Sequence, residues 1–215
     1  MPRKIILPKT DDKGKPYISY SQFSTWKSSK KDYFKSYFFG ERFDGNAYTE
    51  FGNKVGEALE KGDFTGFDGL EKLMLQEVTR LDEFERKVEL DFGDFYLFGY
   101  IDTNDKELET IVDYKTGALD KEAVYASPDY VQLDLYAAAI EQETGKLPKE
   151  AFVILVEREG NPYKNEELKV GKSLRVINKD LNPQRIKDVK SALEKAAIDI
   201  SHHFRVFNEL NSIKV

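Results

Sequence analysis

The alternation of apolar and polar residues along the chain predicts a group of strands at its centre. Three consecutive segments have the composition of strands, with a turn near Gly93-Asp94 between the first two: FERKVEL (84–90), FYLFGYID (95–102) and LETIVDYK (108–115). The apolar segment 150–159, EAFVILVERE, predicts a further strand that is covered on both faces. Residues 168–180 are expected to add a hairpin.

Helical spacing of apolar residues predicts helices on both sides of these strands. The predicted helices cover residues 19–40, 49–62, 66–81, 127–145 and 182–210. This order of elements predicts a single α/β domain with a mixed central β-sheet flanked by helices. We expect the domain to span 17–215, after an N-terminal arm at 1–16 that is rich in Lys, Pro, Asp and Gly.

The first of these helices interleaves aromatic residues with lysines. Ser19 or Ser21 is suited to cap its N-terminus. Its four lysines are Lys27, Lys30, Lys31 and Lys35. A solvated basic face is the simpler interpretation, and a surface that contacts phosphate groups is the alternative.

Composition narrows the possible chemistry. The 215 residues include no cysteine, which excludes disulfides, thiolate zinc sites and cysteine-ligated iron–sulfur clusters. The net charge of −6 argues against nonspecific coating of nucleic acid, although it allows a local basic groove beside an acidic metal site. No segment has the roughly 20 apolar residues of a membrane span, and the N-terminus lacks a signal-peptide core. We therefore expect a cytoplasmic protein without a membrane partner.

The strand IVDYKTG places charged residues where a buried strand should be apolar. Asp113 and Lys115 share one face of the strand, and Tyr114 points to the other. If the preceding turn centres near Lys106, Asp102 lies diagonally across from Asp113, about 7–8 Å away at the backbone. Two carboxylates this close repel each other unless a cation lies between them, and oxygen ligands suit Mg²⁺ or Mn²⁺. The strand ends therefore predict a divalent-metal site with an adjacent lysine.

An ordinary solvated ion pair is the alternative for Asp113 and Lys115, because such a tripeptide is common. Asp102 at hairpin distance weighs against it. So do Gln132 and Tyr136, which share one face of the next helix and are expected to pack over the end of the Asp113 strand.

The motifs GYID, IVDYKTG and QLDLY together resemble the RecB-type branch of the PD-(D/E)XK nuclease superfamily. That branch includes RecB and AddB nuclease domains, lambda-type exonucleases and CRISPR-adaptation exonucleases. Its pattern is Gly-x-x-x-His, Gly-x-x-Asp, Asp/Glu-x-Lys and Gln-x-x-x-Tyr. The chain matches it with Gly52…Gly56, Gly99-x-x-Asp102, Asp113-x-Lys115 and Gln132-x-x-x-Tyr136, and the resemblance spans about Ser19 to Glu157.

The resemblance implies a restriction-endonuclease-like core and a role for each matching residue. Asp102, Asp113 and the backbone carbonyl of Tyr114 correspond to metal ligands, and Lys115 corresponds to the catalytic lysine. Gln132 and Tyr136 correspond to residues that orient the site or contact DNA.

The function implied is a Mg²⁺- or Mn²⁺-dependent deoxyribonuclease. We expect an exonuclease, or a nuclease for single-stranded or branched DNA, in recombination, repair or phage DNA processing in a bacterial or phage-infected cell. A recombination or replication protein is a partner that this function implies. A catalytically weakened module for DNA binding or protein interaction is the alternative, and RNA is a third possibility as substrate.

Two departures from the family pattern bear on the metal site. Many relatives bind an iron–sulfur cluster through four cysteines, and this chain has none. Gly56 stands where the family usually has a metal-binding histidine, so Glu60, one helical turn later, or Glu57 is a candidate replacement; solvated helix charges are the alternative. The adjacent His202 and His203 lie late in the last helix and are interpreted as structural.

Overall fold

Six strands form one mixed sheet in the computed structural model, which describes residues 4–41 and 45–213. The strands are β1 (Tyr17–Ser19), β2 (Glu83–Asp91), β3 (Tyr96–Asn104), β4 (Thr110–Gly117), β5 (Glu150–Glu159) and β6 (Lys169–Asn178). Their order is β1-β3-β4-β5-β6, and β2 pairs with β3. The β1–β3 and β4–β5 pairs are parallel, and the others are antiparallel. The predicted α/β domain with a mixed central sheet is confirmed.

Seven α-helices flank the sheet in the described ranges: α1 (Tyr20–Ser28), α2 (Lys30–Tyr33), α3 (Ala47–Lys61), α4 (Gly69–Gln76), α5 (Glu122–Ala126), α6 (Gln132–Thr144) and α7 (Pro183–Ser212). The long closing helix agrees with its prediction, including Pro183 in the first turn. Of the helices in these ranges, none is long and apolar enough to span a lipid bilayer.

The first predicted helix is divided in two. Ser19 caps α1 through a capping box with Gln22, as the sequence allowed. The helix stops because Ser29 is extended, and the side chain of Ser29 accepts a hydrogen bond from the N–H of Asp32 at the start of α2. A π-helical turn, Phe34–Phe38, continues α2.

The lysines of this region differ in their surroundings. Lys27 lies over the Phe23 ring, and Lys30 lies over Trp26 and pairs with Asp199 at 2.8 Å. These contacts support the solvated-face interpretation for these two residues. His203, on α7, packs against Trp26.

The predicted hairpin at 168–180 is wrong, because this segment forms the single strand β6. Gly171, within this strand, has a packing role. A Cβ atom there would lie 2.4 Å from Cγ of Glu157, so the glycine permits close packing of β6 on β5. The predicted start of the helix at 127–145 also moves, since α6 begins at Gln132 and ends before Gly145, which has a φ of 79°.

The two faces of the sheet bury separate hydrophobic clusters. Ile111 and Leu155 pack on one face in a cluster that includes residues of α1, α6 and α7. Val112 and Val156, one residue further along, pack on the other face in a cluster that includes residues of α3 and α4. This alternation explains why β4 and β5 are apolar at consecutive positions.

The described part of the N-terminal arm, from residue 4, contacts the domain. Leu7 is buried in the first cluster, and the N–H of Ile6 donates to Ser201 Oγ at 2.9 Å. The division at residue 16 stays a prediction, and residues 1–3 lie outside the described ranges.

Candidate active site

Strands β3 and β4 separate where the charged residues begin. They pair only at Thr103 with Val112 and at Asn104 with Ile111. Beyond these pairs, Asp102 Oδ2 accepts the backbone N–H of Tyr114 at 2.5 Å. A side chain thus replaces the ladder at the point where the strands diverge.

This register differs slightly from the expected one. The turn centres after residue 107 instead of near Lys106, and Asp102 and Asp113 are the first residues beyond the last ladder pair, Thr103 with Val112. Leu108 accounts for the shift, because it is buried in a left-handed conformation with a φ of 58° and donates its N–H to the carbonyl of Asp105.

Asp113 is the most deeply buried carboxylate of the site, with 2% of its surface exposed. Lys115 Nζ donates to Asp113 Oδ1 at 2.6 Å, and the Tyr130 hydroxyl lies 2.9 Å from Asp113 Oδ2. Lys115 Nζ also lies 3.3 Å from the carbonyl oxygen of Tyr114. The lysine therefore contacts two of the oxygen atoms that the sequence predicts as metal ligands.

The surroundings of Asp102 disfavour the ionised form of its carboxyl group. Burial, followed by the charge of Asp113, raises the pKa of Asp102 from 3.8 to about 7. Burial alone lowers the pKa of Lys115, but the charges of Asp113 and Asp102 outweigh it, and the net shift is upward. Lys115 is thus an ammonium group at neutral pH, paired with Asp113 and further stabilised by the charge of Asp102.

A buried polar network connects Asp113 to α6. The Tyr130 hydroxyl lies 2.7 Å from the Gln132 side chain, and Gln132 Nε2 lies 3.3 Å from the Tyr136 hydroxyl. Tyr130 has one hydroxyl proton, so it donates to Asp113 when the amide of Gln132 turns its NH₂ group towards the tyrosine. Gln132 and Tyr136 are buried, which supports the orienting role over direct contact with DNA.

Gly99 makes room for this network. A Cβ atom at Gly99 would lie 2.5 Å from the hydroxyl oxygen of Tyr136. The glycine of the Gly-x-x-Asp motif and the tyrosine of the Gln-x-x-x-Tyr motif therefore depend on each other sterically. Close approach of a ring to a strand backbone requires glycine at this position.

A cleft of about 580 Å³ opens in front of Asp102 and Lys115. Helix α3 forms one wall and contributes Gly56, Glu57 and Glu60. A Cβ atom at Gly56 would meet no heavy atom within 4 Å, so the missing histidine leaves open space. Glu57 forms an ion pair with Lys61, whereas Glu60 is exposed at the cleft wall.

The chemistry of these groups fits a hard divalent cation. The carboxylates of Asp102 and Asp113 and the carbonyl of Tyr114 are oxygen ligands of the kind that Mg²⁺ and Mn²⁺ prefer, and the space at Gly56 adjoins the cleft. In the part of the chain that the structure describes, no three Asp, Glu or His side chains already converge as a ligand set. The ammonium group of Lys115 is the cation next to Asp113.

The sequence reasoning missed two residues at the site. Tyr130 reaches Asp113 from the segment before α6, and nothing in a linear pattern distinguishes it from a core tyrosine. Glu85, on β2, lines the cleft with Asp102. In the sequence Glu85 is one of several charged residues on a predicted strand. Only the sheet register brings it level with Asp102.

Comparison with known proteins agrees with this architecture. A model of the PD-(D/E)XK nuclease superfamily matches residues 66–208. The chain therefore belongs to that superfamily and is a nuclease by family. No curated protein matches it significantly in sequence.

Two solved structures are similar to the chain. A crystal structure described as a candidate exonuclease from Eubacterium rectale has a TM-score of 0.56 at 14% identity, over 91% of this chain and 82% of that one. A phage-related exonuclease from Haemophilus somnus gives 0.42 at 13% identity, over 89% and 83%. The first likeness supports the shared fold.

Proposed function

We propose that this nuclease is a Mg²⁺- or Mn²⁺-dependent deoxyribonuclease that hydrolyses phosphodiester bonds in the cleft between β3, β4 and α3. The observation that carries the proposal is the meeting of Asp102, Asp113 and Lys115 at the point where β3 and β4 diverge. Two mutually repelling carboxylates beside a lysine reduce the stability of a domain without a cation, so their presence favours a functional role.

In this proposal each residue has a distinct task. Asp102, Asp113 and the Tyr114 carbonyl hold the ion, and Glu60 is available at the cleft wall. When bound, the ion supplies Lewis-acid activation of water and neutralises phosphate charge. Lys115 places its ammonium group where charge builds on the scissile phosphate. Gln132 and Tyr136 fix the orientation of Asp113 through Tyr130.

Membership of the nuclease superfamily and the similarity to a structure described as a candidate exonuclease support the choice of substrate class. We propose action on DNA with free ends or single-stranded regions, in recombination, repair or phage DNA processing within the cytoplasm. A recombination or replication protein would deliver such substrates. RNA is the competing polymer, and the assay below distinguishes it.

The direct test incubates end-labelled and internally labelled single-stranded DNA, double-stranded DNA and RNA with the protein, with Mn²⁺ or with EDTA. The proposal expects Mn²⁺-dependent cleavage of DNA, with mononucleotides or short oligonucleotides released from ends. Lys115→Ala, purified in the same way, is the control for a contaminating nuclease, because a contaminant would cleave equally in both preparations. Equal cleavage by parent and Lys115→Ala, or cleavage in EDTA, contradicts the proposal.

A catalytically weakened DNA-binding module is the second candidate, and Gly56 is the observation that favours it. The position offers no side-chain ligand, and the space there is open. A protein that binds labelled DNA but cleaves none of the substrates at any Mn²⁺ concentration would establish this candidate instead.

A further inference from the structure

Glu85 occupies an irregular position in the central strand pair. In the ladder between β2 and β3, Phe84 pairs with Thr103 and Arg86 pairs with Ile101, which leaves Glu85 opposite Asp102 without ladder bonds. The φ angle of Glu85 is 49°, a left-handed conformation that is unfavourable for a side chain larger than glycine. Such conformations persist where the surroundings determine them, and they concentrate at functional sites.

The row of residues across the sheet at this level is acidic. Glu85 on β2 is opposite Asp102 on β3, and Asp102 and Asp113 are the first residues beyond the last β3–β4 ladder pair. Three neighbouring strands therefore each carry one acidic residue at the level where β3 and β4 separate. Asp102 is on the middle strand of the three, and it lines the cleft together with Glu85.

The carboxylate of Glu85 differs from its neighbours on β2 in having no cation partner within the described ranges. Glu83 pairs with Arg86, and Glu89 pairs with Lys87 at 2.6 Å. Glu85 instead lines the cleft, and burial and the charge of Glu60 raise its pKa. An acidic group placed among other acidic groups gains most from a shared cation.

Arg80 holds the two walls of the cleft together. Its side chain donates to the carbonyls of Leu59 and Glu60 at the end of α3, and its guanidinium group lies 5.0 Å from the centroid of the Phe84 ring. This arginine is therefore engaged with backbone oxygens and an aromatic ring. It fixes the end of α3 beside the residue that precedes Glu85.

We propose that Glu85 supplies a carboxylate to the divalent-metal site, in place of the side-chain ligand that Gly56 does not provide. The inference rests on the proposed function, because it adds a residue to that same site. It assigns the replacement ligand to β2 instead of α3. Glu60 is then a contributor to the potential of the cleft, and Glu57 remains paired with Lys61.

The test is a Mn²⁺ titration followed by thermal unfolding of the full chain, which measures metal binding without any requirement for cleavage. Glu85→Gln keeps the size of the side chain and should weaken Mn²⁺ binding at least about tenfold, as the loss of a metal-site partner does. Glu89→Gln is the matched control on the same strand and should bind like the parent. Glu60→Gln should raise the Mn²⁺ concentration at the midpoint of the titration less than Glu85→Gln does.

Glu85→Gly guards against a folding defect, because glycine adopts a φ of 49° without strain. It should raise the melting temperature in EDTA and weaken Mn²⁺ binding as Glu85→Gln does. Parental Mn²⁺ binding by both Glu85 variants overturns the inference and leaves the proposed metal site intact. Loss of binding in Glu60→Gln alone assigns the ligand to α3 and also overturns it. Absence of any Mn²⁺ effect on the parent overturns both this inference and the proposed metal dependence.

Discussion

Replacing Asp102 by asparagine should stabilise the metal-free protein, and the gain should depend on pH. Asparagine has the same shape and its Oδ1 atom can still accept the N–H of Tyr114, which Asp102 accepts at 2.5 Å. The substitution removes only the ability to carry negative charge. The comparison therefore isolates the electrostatic state of the site.

The magnitude follows from the raised pKa of Asp102. Burial and the charge of Asp113 raise it from 3.8 to about 7. Each unit corresponds to about 1.4 kcal/mol, so ionised Asp102 destabilises the folded state by up to about 4 kcal/mol. This is an upper bound, because small movements that admit water relieve part of the repulsion.

The direction of the pH dependence is fixed by the sign of the shift. Below a pH of about 4 the carboxyl group is protonated in both the folded and the unfolded chain, so the penalty is absent. The penalty grows as pH rises and is complete above a pH of about 7, the folded-state value. The advantage of Asp102→Asn should therefore be near zero at about pH 4 and largest at about pH 8.

Urea unfolding of both proteins in EDTA at these two pH values measures the effect. The linear dependence of the unfolding free energy on urea gives the difference at each pH. Glu89→Gln, an exposed position on β2, controls for the general removal of one negative charge. An equal difference in unfolding free energy at both pH values would refute the conclusion that the surroundings of Asp102 disfavour its ionised form. Destabilisation by Asp102→Asn at the higher pH would refute it as well.

Four other substitutions test the remaining roles. Asp113→Ala should abolish cleavage and the rise in melting temperature that Mn²⁺ causes in the parent; an equal rise in both would remove Asp113 from the metal site. Lys115→Ala should abolish turnover but keep DNA binding within a few-fold, measured by fluorescence anisotropy. Gly56→His should stabilise α3 by up to about 1 kcal/mol and lower the Mn²⁺ concentration needed for activity, because a Cβ atom there meets no heavy atom within 4 Å; an unchanged Mn²⁺ requirement would mean that α3 does not reach the ion. Tyr130→Phe should reduce the turnover rate about tenfold or more with little change in DNA affinity, because Asp113 loses a hydrogen bond at 2.9 Å.

Much of the fold could be predicted from the chain because local patterns determine it. The consecutive apolar residues of β4 and β5 are required by clusters on both faces of the sheet. Pro183 and Gly145 mark helix ends through their own backbone preferences. These signals do not depend on distant contacts.

The predictions that differed depend on contacts between distant segments. The sequence predicts a hairpin at 168–180, but the segment forms one strand, in which Gly171 admits the side chain of Glu157 from the neighbouring strand. Leu108 shifts the β3–β4 turn because it is buried in a left-handed conformation. Neither fact can be read from the local sequence.

The candidate site shows the same division. Asp102, Asp113 and Lys115 could be nominated from strand periodicity and the family pattern, and they come together. Tyr130 and Glu85 could not, because one is identified by a hydrogen bond to Asp113 and the other by a sheet register and a positive φ angle.

Diffraction from crystals soaked in Mn²⁺ and measured near the manganese absorption edge would locate the proposed ion itself. The proposed site requires a strong anomalous peak from an ion bound by the carboxylates of Asp102 and Asp113 and by the carbonyl of Tyr114, with Lys115 Nζ displaced from the 2.6 Å contact with Asp113. An identical soak of Asp113→Ala crystals should show no peak there. A parent crystal without a peak in the cleft, with Lys115 still paired to Asp113, would rule out this metal site.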